Sequence, residues 1–328
     1  MAAEVAEQPV ALERLLRDGT AEIARVRAEV LQRRPRFVVF VARGTSDHAA
    51  LYAKYLVEVR LGLPAGLASA STFTVYGARP DLRDVLYVAI SQSGGSPDLI
   101  GSLEAARACG ATTVAVTNNA ASQLAEIAEF HVDVLAGAER AVAATKSYTS
   151  QLLALHQLLL GTDAAAVPEA SAATLALAEA RVPDAALRLR HARQLLTAAR
   201  GYSYATAREA ALKIMETCYL PAQAFSGADL LHGPLAMVDA GMPVIAVATP
   251  GAGGEAMRVV LERLGQVSAD LVLVGDDAGL PVASAGVAEE LLPILEILPL
   301  QRLAWRMALD RGGDPDRPRG LSKVTQTW

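Results

Sequence analysis

The chain has 328 residues, 52% of them apolar and 5% aromatic, with a formal net charge of −5. That length admits one large or two medium domains with an easily buried core, and the mild acidity argues against a surface dedicated to nucleic acid or anionic lipid. The two cysteines, Cys109 and Cys218, have no paired spacing and fit reduced, buried thiols better than a disulfide. Glu4 and Glu7 stand where a secretory leader would be basic. The longest apolar runs, such as 152–160, fall short of the roughly 20 residues that a membrane span needs. A soluble, cytoplasmic protein is expected.

Residues 3–34 alternate apolar and charged positions at helical spacing and predict one or two amphipathic lead-in helices. The stretch 37–42 (FVVFVA) reads as a buried strand. Gly44 then serves a turn, Thr45, Ser46 and Asp47 suit a cap, and a helix follows to Gly62. A short strand is expected at 67–71. The apolar, β-branched run 84–90 (DVLYVAI) predicts a strand that leads into 91–96 (SQSGGS). A helix comes next, with Ser96 as N-cap, Pro97 at the first helical position and Gly110 past its end. Residues 112–117 and 131–135 read as strands, 122–129 as a short helix and 141–160 as a long one. Helices alternating with strands predict a doubly wound, parallel α/β sheet.

The Ala-rich stretch 162–195, with Pro168 and Pro183, reads as a helical connector, after which the pattern restarts. Ala199, Arg200, Gly201 and Ser203 echo Ala42, Arg43, Gly44 and Ser46. The run 242–249 with its following PGAGGE echoes the strand and loop at 86–96. Two copies of one α/β unit are expected, the second stripped of the serines and glutamine that would hold phosphate. A last helix is expected at 296–309, followed by a tail without periodicity. The expected organisation is a lead-in at 1–35, a first domain at 36–162, the connector at 163–195, a second domain at 196–309 and the tail at 310–328.

Several groups could carry chemistry. At 91–96 a strand, a small-residue turn and a helix start present free backbone N–H groups to an anion, and Gly94 and Gly95 allow close approach. The hydroxyls of Ser91, Ser93 and Ser96 and the amide of Gln92 add donors without fixed charge, which suits a phosphate monoester; an ordinary serine-rich turn is the plainer alternative. On a helix expected at 204–217, Glu209, Lys213 and Glu216 share one face. A solvated charged stripe would look the same, but the intervening residues are apolar. Glu216 also falls at the C-terminal end, where the helix dipole disfavours a carboxylate and would raise its pKa toward that of a carbon-acid base. His232, ahead of Gly233 and Pro234, is placed on a loop where an imidazole could reach a ligand. His48, His131, His156 and His191 have no partners at ligand spacing, so neither a metal nor a cofactor is expected. Lys323 reads as a solvated tail lysine, or, beside Leu321 and Val324, as a docked one able to form a Schiff base with a carbonyl sugar.

Together, the segments 44–46 (GTS), 91–96 (SQSGGS), 141–151 (AVAATKSYTSQ), 209–216 (EAALKIME), 229–239 (DLLHGPLAMVD) and the terminal LSKVT resemble the sugar isomerase (SIS) family. They are most similar to the isomerase half of glucosamine–fructose-6-phosphate aminotransferase and to stand-alone aminosugar-phosphate deaminases. The resemblance spans nearly the whole chain and implies two tandem flavodoxin-like domains. It implies phosphate ligands at Ser46, Ser91, Gln92, Ser93 and Ser96, with Thr45, Val142 and Ala144 lining the sugar. Glu216 matches the base that moves a proton between C1 and C2, and Lys213 a lysine aiding proton traffic at the sugar oxygens. His232 matches a ring-opening histidine given to the neighbouring subunit's site, which implies a homodimer, and Lys323 the tail lysine that bonds the open-chain sugar.

Departures bear on the sugar rather than the phosphate. Arg43 replaces a small or thiol residue, and Ala144 replaces a serine. No glutamine-hydrolysing segment with its N-terminal cysteine accompanies these motifs, so glutamine-independent chemistry is expected unless a partner subunit supplies ammonia. The implied reaction is deamination and isomerisation of glucosamine 6-phosphate to fructose 6-phosphate and ammonia. A fructosamine-6-phosphate deglycase or ketose/aldose phosphate isomerase would use the same residues. A non-catalytic phosphosugar sensor is the alternative of another class. Against it stand a lead-in too short for the helix-turn-helix head of such regulators and the retention of both Glu216 and His232.

Overall fold

A computed structural model describes residues 1–275 and 279–323. The chain forms two compact units. One comprises Met1–Pro9, Arg140–Thr145 and Ala164–Gly320, and the other Val10–Glu139, Lys146–Asp163 and Leu321–Trp328. The lead-in is helical, as α1 (Ala2–Ala6), α2 (Gln8–Arg14) and α3 (Thr20–Gln32), with one wider turn between α2 and α3. Among the described residues no helix is long and apolar enough to cross a membrane.

The unit built on residues 10–139 contains β1 (Phe37–Val41), α4 (Thr45–Leu56), β2 (Ala65–Leu67), α5 (Ser71–Thr74), β3 (Val85–Ser91), α6 (Pro97–Ala108), β4 (Thr112–Thr117), α7 (Gln123–Ile127), β5 (Phe130–Asp133) and α8 (Lys146–Leu159). Its sheet has the order β2-β1-β3-β4-β5 and every pairing is parallel. Parallel strands are covered on both faces, which is why β3 is a nearly unbroken apolar run with six buried residues in sequence. On one face Tyr87, Ala89 and Ala115 pack against Leu99, Leu103 and Leu124 of α6 and α7.

Two expectations here are corrected. The strand expected at 67–71 lies earlier, at Ala65–Leu67, where Val38 N–H donates to the Pro64 carbonyl and Ala68 N–H to that of Phe40. Residues 71–74 turn into helix instead and bury Phe73 edge-on against Tyr87, ring centroids 6.1 Å apart. The long helix expected from 141 begins only at Lys146. Upstream, the N–H groups of Arg140 and Ala141 donate to Glu4 Oε1 and that of Val142 to the Asp316 carbonyl, so tertiary partners hold this stretch out of the helix.

The other unit continues with α9 (Val167–Leu189), β6 (Leu195–Ala199), α10 (Tyr204–Cys218), β7 (Ala222–Ser226), α11 (Gly227–Leu231), β8 (Pro243–Val247), α12 (Ala252–Gln266), β9 (Asp270–Gly275), β10 (Leu280–Pro281) and α13 (Leu292–Asp310). Its sheet is again parallel, in the order β10-β9-β8-β6-β7. Counted from its own first strand, this is the topology of the first sheet, the flavodoxin-like order. The final helix starts at Leu292 rather than 296, with Pro293 in its first turn, where a missing N–H costs no helical bond.

One backbone position in the 91–96 turn admits glycine alone. Gly94 has φ +65°, and a Cβ there would lie 2.2 Å from Ser122 Oγ. At Gly95 the nearest atom to such a Cβ is Ser93 Oγ at 3.9 Å. Gly94→Ala is therefore expected to destabilise by at least about 1–3 kcal/mol, with Gly95→Ala near neutral, as read by urea unfolding. Equal costs at the two positions would contradict this account of the turn.

Candidate functional site

In an open doubly wound sheet, ligands gather at the carboxyl ends of the two strands where the winding reverses. In the first sheet those strands are β1 and β3, neighbours in the order but not in sequence. Their loops carry Thr45 and Ser46 on one side and Ser91, Gln92, Ser93 and Ser96 on the other, so the structure brings all six expected residues to one end of one sheet.

The turn after β3 is fixed by its own hydrogen bonds. Ser91 Oγ accepts Gly94 N–H at 3.1 Å, and Ser93 Oγ accepts Gly95 N–H at 3.3 Å. The carbonyls of Gln92 and Gly94 accept N–H groups of Asn118 and Leu124, both at 3.1 Å. A hydroxyl that accepts one bond still has its hydrogen to give. Ser96 has the extended backbone of an N-cap, and its carbonyl takes the first helical bonds, from Leu99 and Ile100. Its side chain makes no capping bond. The result is a cluster of hydroxyls and N–H groups at the positive end of α6.

Arg43 changes meaning in the structure. Its guanidinium pairs with Oδ2 of the buried Asp98, in the first turn of α6, at 2.7 Å. The departure from the family pattern is thus a clamp between the two loops, not a free cation at the crevice. Sequence reasoning also passed over Glu139 and Gln151. Glu139 is buried and accepts Ser147 N–H at 3.1 Å, Ser147 Oγ–H at 2.7 Å and the Lys323 ammonium at 2.8 Å. Lys323 is thus docked on this unit; its expected neighbour Val324 lies outside the described residues. Glu139 stands two residues before the 141–151 motif, and that adjacency was the one sequence signal for it.

The remaining candidates belong to the other unit. On α10, Lys213 is fully buried between Glu209 Oε1 at 3.4 Å and Glu216 Oε2 at 2.5 Å. This is no solvated stripe, since Glu209 is as buried as the lysine. Burial pulls the Lys213 amine down, and the two carboxylates outweigh it, so its pKa stands above the ordinary value. Lys213 is therefore a fixed ammonium, able to donate hydrogen bonds rather than to attack a carbonyl. Only Glu216 of the three is partly open, with a side chain 21% exposed. His232 is exposed at the end of α11, ahead of Gly233 at φ +127°. Val142 and Ala144 are half-buried on the irregular stretch before α8.

The SIS domain model matches residues 33–161 and 188–288. The chain belongs to the SIS domain family. It is 35% identical over 343 residues to the isomerizing glutamine–fructose-6-phosphate aminotransferase of Pyrococcus horikoshii, covering 98% of this chain and 57% of that protein. It thus spans little more than half the length of such curated relatives. Among solved structures, a Silicibacter pomeroyi protein described as a phosphosugar isomerase superposes with a TM-score of 0.85 at 35% identity, covering 96% of this chain and 98% of that one. The C-terminal domain of glucosamine–fructose-6-phosphate aminotransferase from Francisella tularensis gives 0.84 at 25% identity, with 97% of each chain covered.

The second SIS copy has its own winding reversal, between β6 and β8, and the donors there are already engaged. Ser203 and Thr206 donate to Glu296 at 2.8 Å each and Thr249 at 2.5 Å, while Gly253 N–H donates to Glu289 at 2.8 Å. Ser203, which echoes Ser46 in the sequence, is thus among donors that the protein's own carboxylates take. Burial pushes the Glu296 carboxyl above its ordinary value against the pull of its three hydroxyl donors, and the charge of Glu289 adds to the rise. A carboxyl with a raised native pKa stabilises the fold at low pH and loses that contribution as pH rises through the native value. Glu296→Gln should therefore gain stability relative to the parent as pH rises from about 4.5, the ordinary value of the group. Thermal unfolding across that range checks this, and parallel curves for the two proteins would contradict it.

Proposed function

We propose that this SIS protein is an aminosugar-6-phosphate deaminase and isomerase that converts glucosamine 6-phosphate and water to fructose 6-phosphate and ammonia. The phosphate is bound by Ser46, Ser91, Gln92, Ser93 and Ser96 and by the N-terminus of α6, with Thr45, Val142 and Ala144 lining the sugar. Neutral donors hold a phosphate monoester without the grip of a fixed cation, which suits a substrate that must leave after each turnover.

His232, supplied by a second copy of the chain in a homodimer, opens the sugar ring. Glu216 removes the C2 proton of the open-chain aldehyde and returns a proton to C1, through an enediol-like intermediate. The Lys213 ammonium donates to the oxygen on which charge develops. The product of the shift is an imine at C2, which water hydrolyses, directly or after exchange onto Lys323, to the ketone and ammonia. Free glutamine has no part in this sequence.

The observation that carries the reading is Glu216 held against a fully buried ammonium on α10. A protein that only senses phosphosugars needs the phosphate loop, but has no use for a carboxylate and a buried lysine arranged for proton transfer. The similarity to isomerizing relatives points the same way. Ammonia release from glucosamine 6-phosphate, assayed without glutamine, tests it. Glu216→Gln is expected to lower the rate by roughly 10²–10⁴ while binding persists. A variant that turns over as fast as the parent, or a parent that binds this sugar and releases no ammonia, would overturn the proposal.

A further inference from the structure

Ser46 opens α4, and its hydroxyl oxygen lies 3.0 Å from Nε2 of Gln151 on α8. Both residues are buried, Gln151 almost completely. An amide nitrogen donates and does not accept, so in this bond Ser46 Oγ is the acceptor. Its own hydrogen is then left for some other acceptor. A phosphate oxygen only accepts, whereas a sugar hydroxyl or a water can do either. Fixing Ser46 as a donor therefore favours the anion over the solvent it displaces.

Gln151 has a feature that packing does not explain. Its Oε1 is buried without a hydrogen-bond partner among the described residues. An unpaired buried carbonyl is a liability, and a leucine or methionine of similar volume would fill the same space without it. What neither could do is donate to Ser46. We propose that Gln151 is a positioning residue for phosphate recognition: it orients the Ser46 hydroxyl as a donor toward the bound phosphate. This inference rests on the reading of Ser46 as a phosphate ligand, and it adds a residue that does not itself touch the substrate.

A double-mutant cycle with the full-length chain and glucosamine 6-phosphate separates the two claims. Ser46→Ala and Gln151→Leu should each raise KM, roughly tenfold to a hundredfold for a lost bond to a charged group, with a much smaller change in kcat. In the Ser46→Ala background Gln151→Leu should add little, because its effect runs through the missing hydroxyl. Gln151→Glu should raise KM further than Gln151→Leu, since a carboxylate accepts the Ser46 hydrogen and sets a negative charge behind the phosphate. It also serves as the test if the leucine variant fails to fold. A rise in KM for Ser46→Ala but none for the Gln151 variants, or effects that simply add in the double variant, would overturn the role of Gln151 and leave the phosphate site standing. No effect at Ser46 would remove the site itself, and the inference with it.

Discussion

A phosphate group needs donors, and the first switch point concentrates them without a free charge. Two adjacent strand ends, a glycine with positive φ and the start of α6 converge there, and the nearby guanidinium of Arg43 is already paired with Asp98. The hydroxyls of Ser91 and Ser93 accept backbone N–H groups and keep their hydrogens to give. Electrostatic attraction at this crevice therefore comes from oriented dipoles, which act at close range and discriminate by geometry.

The two SIS copies share their strand order but have used the same crevice differently. In the first, the hydroxyls of Ser91 and Ser93 accept N–H groups of their own turn. In the second, Glu296 and Glu289 reach into the corresponding place and accept from hydroxyl and N–H groups there. Three of those bonds also tie the start of α10 and the end of β8 to α13. The helix that carries Lys213 and Glu216 is thus anchored at the winding reversal of the second copy.

Much of this was legible in the sequence. Strands such as β3 and β4 announced themselves as β-branched runs because parallel strands are buried on both faces. The start of α6 was marked by Pro97 and its end by Gly110, since each residue fits one helix terminus and little else. The repeat was visible in the echo of Ser46 by Ser203. The start of α8 was not, because the bonds that keep residues 140–142 out of the helix come from Glu4 and Asp316, far away in the chain. Glu139, Gln151 and the clamp of Arg43 on Asp98 were hidden for the same reason. Each acts through a partner that only the fold brings near, and the sequence offers no more than the place of Glu139 and Gln151 beside and within the 141–151 motif.

The central claim is that neutral donors at 91–96 hold the phosphate of the substrate. Calorimetric titration of the parent and of Ser93→Ala with glucosamine 6-phosphate and with unphosphorylated glucosamine tests it most directly. The account predicts measurable binding of the phosphorylated sugar alone, weakened by about tenfold or more in the variant. Equal affinity for the two sugars, or an unchanged Kd in Ser93→Ala, would contradict it.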